Sequence, residues 1–217
     1  MKNTKMAFVI NILIVLFEIL AISWMASGRS GGVYSFPGIY MLNFFTIDSN
    51  ILMGIAALIS IIEEFKVIKG KKEEVSKFSR AFKLMSVVGV TLTMLVTMIF
   101  LAPASPYGYF SLFTYSNFFL HLLNPLLSII VFVMFEKSKS LSLKHTFIGI
   151  IPMVIYSFYY VWAAVTHSHD GIVESGYDWY GFFTFGLNSI VIVLPIMYAI
   201  TYVISVVLWK LNKEKER

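Results

Sequence analysis

Six apolar runs constrain this chain more than any other feature, because each is close to the roughly 20 residues a helix needs to cross a bilayer. The approximate spans are Met6–Ala26, Ile39–Ile62, Leu84–Ala102, Ser111–Phe135, Phe147–Val165 and Tyr180–Trp209. Hydrophobic residues make up 58% and charged residues 13% of the chain, which is not the balance of a soluble domain. The short connecting segments leave no space for a second folding unit. The expectation is an all-α polytopic membrane protein, a single domain over residues 1–217 with six transmembrane helices. The last run is overlong, so it is expected to tilt, bend or project beyond the bilayer.

A net charge of +5 raises the question of nucleic acid, and the placement of the charges answers it. Lys2 and Lys5 precede the first run. Lys66, Lys69, Lys71, Lys72, Lys77, Arg80 and Lys83 fill the second linker. Lys137, Lys139 and Lys144 lie in the fourth, and Lys210, Lys213, Lys215 and Arg217 in the tail. Alternating topology puts all of these on one side and leaves Arg29 alone on the other. The positive-inside rule then places both termini in the cytoplasm, in a protein of the plasma membrane. The basic excess is a topology signal, with anionic headgroups as a minor partner and no nucleic acid. The start resembles a signal peptide, but its apolar core is long and carries Glu18, so an uncleaved anchor helix is expected.

Cysteine is absent, which removes disulfides, thiolate chemistry and Cys-ligated metals. The loop Thr166-His167-Ser168-His169-Asp170-Gly171 carries possible metal ligands at a spacing too unspecific to weigh against a solvated loop. Neither metal nor cofactor is expected. The Lys/Glu-rich stretch from Gly70 to Lys83 reads as a solvated, partly helical connector. Thr91, Thr93 and Thr97 read as glue between helices. The Tyr and Trp residues of the fifth run suit an interfacial belt.

Polar residues at membrane depth are costly and usually face a protein interior or a wet cavity. The second run contains Asn43-Phe44-Phe45-Thr46-Ile47-Asp48-Ser49-Asn50. At helical spacing Asn43, Thr46 and Asn50 share one face, and Asp48 points elsewhere. The fourth run contains Asn117, His121 and Asn124 at i, i+4, i+7, a polar stripe on an apolar cylinder. Pro125 lacks an N–H, so it is expected to kink this helix and free the carbonyl of His121. Glu18 in the first run and Asn188 in the last fall at comparable depth. Counting about 1.5 Å per residue puts polar groups of four helices in one layer of the outer half. Glu18 and the lone histidine also have a plainer reading as hydrogen-bonded packing residues.

A hydroxyl beside an imidazole is the minimal nucleophile and base. Thr46 is the expected nucleophile and His121 its base, with Asn43, Asn50 or Asn117 donating to the developing oxyanion. The group that orients the imidazole is left open among Asp48, Glu18 and an asparagine. Asn124 and Asn188 complete the expected pocket lining. Substrate arriving sideways from lipid favours an acyl chain.

These residues resemble the androgen-induced membrane hydrolase family, multi-pass threonine hydrolases of fatty acid esters of hydroxy fatty acids, and related bacterial six-span proteins. The resemblance covers most of the chain. It is carried by Phe45-Thr46-Ile47, by Asn117-x-x-x-His121 followed by Pro125, and by Trp162 through His167 and His169 to Tyr180. It implies that Thr46 and His121 are a catalytic pair acting on a fatty acyl ester. The chain departs from the family pattern at Asp48, at Leu122-Leu123-Asn124 and in the linker between helices two and three, which bears on the substrate first.

The expected function is an integral membrane hydrolase of lipid esters. A second class is a proton-coupled transporter or channel using Glu18, Asp48 and His121, although the two halves show no clear internal repeat. A third is a lipid-binding protein without chemistry.

Overall fold

The structure, a computed structural model, describes residues 2–29, 32 and 34–213, with Lys2 described in its backbone alone. Ser30 and Gly31 of the outer linker, and Lys215 and Arg217 of the basic tail, lie outside the described residues.

The chain forms helices α1 (Lys2–Ala26) and α2 (Phe45–Ile68). They are followed by α3 (Lys77–Ala104), α4 (Ser116–Phe135), α5 (Leu143–Thr166) and α6 (Leu187–Asn212). All of these except α2 are long and apolar enough to cross a membrane. The 24 residues of α2 are of comparable length but include Asp48, Glu63, Glu64 and Lys66. The only sheet among the described residues is a hairpin of β1 (Ser168–His169) and β2 (Ile172–Val173) in the loop before α6.

Three helices start later than the sequence expectation, each for a local reason. Residues 38–43 form a 3-10 turn after Pro37, and Phe44 is extended (φ −103°, ψ 125°), so α2 starts only at Phe45. Asn43 therefore belongs to a separate turn and shares no helical face with Thr46 and Asn50. The fourth helix starts at Ser116, because Tyr109–Phe113 is a 3-10 turn and Tyr115 takes a positive φ of 52°. The last helix starts at Leu187, and the chain from Tyr180 to Gly186 turns across the bundle end instead.

The core is built where α1 lies on α2 and α2 on α3, from residues such as Ile14, Met53, Ala57, Leu84 and Val88. Small residues let the helices approach closely. Gly149 of α5 faces Ser205 of α6, where an added Cβ would stand 2.8 Å from the serine Cβ and 3.1 Å from Val88. That contact lets Ser205 donate to the carbonyl of Thr146 at 2.7 Å. Thr93 performs the expected helix-to-helix role by bonding Ser49 at 2.9 Å, whereas the buried hydroxyls of Thr91 and Thr97 have no hydrogen-bond partner.

One end of the bundle gathers the lysines of the linkers and tail. Lys72 pairs with Glu63 at 2.8 Å, which holds the Glu63 carboxyl below the usual carboxylate range. The solvated-connector reading fails at Lys83, which is 1% exposed. Asn11 of α1 donates to Glu64 of α2 at 3.1 Å and to Glu136, just past the end of α4, at 2.8 Å, and Lys83 donates to Asn11 Oδ1. The linker continues straight into α3, so its last basic residue is carried into the bundle.

Candidate active site

A cavity of about 620 Å³ opens at the end of the bundle opposite the lysines, and Thr46 and His121 both line it. Its wall is made by the start of α2, the start of α4, the end of α3 at Leu101 and Ala104, and loop residues including Tyr34, Trp179 and Tyr180. Asn43 and Asn117 line it as well. Two polar segments far apart in sequence therefore meet at one hollow.

Thr46 lies in the first turn of α2, where backbone N–H groups have no partner within the helix and the helix dipole presents its positive end. Tyr180 covers that turn. Its hydroxyl accepts a hydrogen bond from the Phe45 N–H at 2.9 Å and lies against the Thr46 side chain. The aromatic cluster Tyr177-Asp178-Trp179-Tyr180 was the sequence signal for it, but it gave no direction.

His121 is buried, and its Nδ1 stands 2.7 Å from the carbonyl oxygen of Leu112. A carbonyl only accepts, so this nitrogen carries the proton and Nε2 keeps its lone pair. The orienting group is thus a backbone carbonyl of the 3-10 turn Tyr109–Phe113, and not Asp48, Glu18 or an asparagine. No side-chain pattern in the sequence announces such a contact.

The helix around His121 departs from α geometry. Residues 119–123 form a π segment, in which Asn124 N–H bonds the carbonyl of Phe119 five residues back. In that register Pro125 withholds its missing N–H from Leu120, so the carbonyl left over belongs to Leu120 and not to His121. Asn50 fills the gap. Its Nδ2 donates to Leu120 O at 3.1 Å and to Thr46 O at 2.7 Å. One amide nitrogen thereby ties the turn of Thr46 to the residue preceding His121. The same bonds commit that nitrogen and leave Asn50 fully buried beneath the cavity.

The remaining expected residues spread out. Asn117 donates to the carbonyl of Tyr34 at 2.9 Å and holds a loop of the cavity wall. Asn43 is fixed by two tyrosines of α5, its carbonyl accepting from Tyr156 at 2.7 Å and its Oδ1 from Tyr159 at 2.6 Å. Those hydroxyls are structural ties rather than an interfacial belt. Asp48 faces a separate groove of about 780 Å³ between α2 and α5, which Asn43 also borders. The wider π turn takes Asn124 off the stripe of Asn117 and His121, and it lies fully buried beside Glu18. Glu18 and Asn124 face each other, but neither the carboxyl nor the amide closes a hydrogen bond of good geometry. Asn188 is exposed at the start of α6 and joins none of them. The single polar layer of four helices is thus a cavity wall from α2 and α4, with a buried pair from α1 and α4 outside it.

His167 stacks on Tyr177 at 3.5 Å between ring centroids, and His169 lies 3.4 Å from Glu174. The described residues contain no group of three or more acidic or histidine side chains placed to hold a metal ion.

The fold and this cavity define an all-helical bundle with membrane-length apolar helices and a threonine and a histidine on one hollow at its end. No family model matches the chain, and neither curated proteins nor solved structures give a match.

Proposed function

We propose that the protein is an integral membrane hydrolase of fatty acyl esters, with Thr46 as nucleophile and His121 as general base and then acid. The observation that carries this reading is the shared cavity: Thr46 and His121 both line it, and the Leu112 carbonyl leaves His121 Nε2 with a free lone pair. Nε2 takes the Thr46 hydroxyl proton as Oγ adds to the ester carbonyl, forming a tetrahedral oxyanion. The Tyr180 hydroxyl at the head of α2 is the donor for that charge. His121 returns the proton to the departing alkoxide. Water, activated by the same nitrogen, then releases the acid from Thr46.

In this reading α2 and the turn before it cross the bilayer over residues 39–62 and complete a set of six spans. Both termini and the lysine-rich end then face the cytoplasm of a plasma-membrane protein, as the charge bias supports. The cavity then opens in the outer half, within reach of lipid.

The test is turnover of fluorogenic acyl esters by protein purified in detergent, with labelling by a hydroxyl-reactive fluorophosphonate. Both are expected in the wild type and lost in Thr46→Ala and His121→Ala. Turnover and labelling that persist in both variants overturn the mechanism.

A further inference from the structure

A second cavity, of about 190 Å³, lies at the lysine-rich end and plays no part in the proposed hydrolysis. We propose that it binds a primary ammonium carried on a phosphate ester, the chemistry of an ethanolamine phosphate headgroup. Its inner wall holds Glu64, Glu136 and Lys83, two carboxylates against one ammonium, with Lys83 Nζ 3.8 Å from Glu136 Oε1. The inner wall carries two carboxyl groups for one ammonium, and an uncompensated buried charge is costly.

Two buried atoms show what is missing. Glu136 Oε2 has no hydrogen-bond partner, and neither does Ser79 Oγ, on a residue 2% exposed that lines the cavity. A carboxylate oxygen accepts only, so the missing group donates. The other Glu136 oxygen already receives the Asn11 amide at 2.8 Å. A primary ammonium offers three N–H donors and the missing charge together, whereas a quaternary ammonium offers the charge alone.

The outer wall has the opposite sign. Arg80 and the exposed Lys137 border the same cavity. Arg80 is held there by donating to the carbonyl of Lys137 at 3.1 Å, with Glu74 at 3.7 Å. An acidic interior behind a basic rim suits a ligand whose cation enters first and whose phosphate stays at the surface. Two sources carry that chemistry: an ethanolamine phospholipid of the adjoining leaflet, and free phosphoethanolamine.

The test uses the full chain, purified in detergent and stripped of lipid. It is titrated with short-chain phosphatidylethanolamine, short-chain phosphatidylcholine, phosphoethanolamine and phosphocholine, following bound mass and melting temperature. Ethanolamine forms are expected to bind at least about ten-fold more tightly than choline forms, the cost of one or more unmade charged hydrogen bonds. Binding of the lipid alone assigns the leaflet source, and equal binding of free phosphoethanolamine assigns the soluble one. Glu136→Gln is expected to erase the preference, and Lys137→Gln to weaken binding while keeping it. Ser79→Ala, a milder change, is expected to weaken the ethanolamine forms alone. Equal affinity for the two headgroups, or a preference unchanged in Ser79→Ala and in folded Glu136→Gln, overturns the proposal. So does a melting temperature that responds to pH and to no amine, since a proton then supplies the missing charge.

Discussion

His121 Nδ1 lies 2.7 Å from the carbonyl oxygen of Leu112, a contact that ties the second turn of α4 to the 3-10 turn just before the helix. The contact fixes which ring nitrogen carries the proton and aims the other as a base, without a carboxylate. A general base contributes about 10² to 10⁴-fold in rate. His121→Ala is expected to lower kcat/KM for an acyl ester within that range, and Thr46→Ala to do the same. Because the two act as a unit, the double variant is expected to be little slower than either single one. Steady-state kinetics on the three variants checks this, and losses that multiply would separate the two residues.

Asn50 yields a different signature, because it touches no substrate. Its Nδ2 holds Thr46 O and Leu120 O together, and Asn50→Leu leaves the Leu120 carbonyl buried without a partner. Leaving such a group unpaired costs about 1–3 kcal/mol. The expected outcome is a lower melting temperature and a fall in kcat with KM unchanged, since the pair loses its registration and the pocket keeps its walls. A fall confined to KM would assign Asn50 to binding instead.

Much of this arrangement was legible in the sequence, and the limits are local. Hydropathy marked the helices, since burial and lipid exposure act on whole runs, and the alternation of lysines sorted their ends. Thr46 and His121 stood out because polar side chains are rare in such runs. Helical periodicity then misled at two places. Phe44 breaks the helix that was to align Asn43 with Thr46, and a π segment displaces Asn124 from the face of His121. Both are backbone events, and a side-chain pattern assumes they do not occur. The network of Asn11, Glu64, Lys83 and Glu136 was hidden for another reason: each residue lies near the polar end of its run, where solvation is the default.

Glu18 separates the buried pair from the chemistry. Glu18 is 2% exposed, its carboxyl has Asn124 as polar neighbour without a hydrogen bond of good geometry, and Gly54 of α2 lies against its stem, where an added Cβ would stand 3.6 Å from Glu18 Cβ. Burying a polar group without hydrogen bonds costs about 1–3 kcal/mol by mutational measures. Glu18→Met fills similar space without that penalty, so its melting temperature is expected to rise while ester turnover is unchanged. Thermal unfolding and kinetics on one preparation decide. A stabilised variant without activity would bring Glu18 into the mechanism.

Tyr180→Phe is the sharpest probe of the roof. The ring stacks on Phe182 with centroids 5.6 Å apart and meets Tyr156 and Tyr160 edge-on, contacts that phenylalanine retains. Only the hydroxyl is lost, and with it the acceptor for the Phe45 N–H and the group lying against Thr46. If that hydroxyl donates to the oxyanion, kcat is expected to fall about 10² to 10³-fold, the usual effect of deleting one such donor, with KM held. Gly149→Ala supplies the comparison, because its added methyl is forced against Ser205 far from the cavity. Overpacking of that kind costs about 1–3 kcal/mol, so the melting temperature is expected to drop while the kinetics of the folded fraction stay those of the wild type. A Tyr180→Phe variant that behaves like Gly149→Ala, less stable and fully active, would make Tyr180 a structural lid and remove it from the oxyanion site.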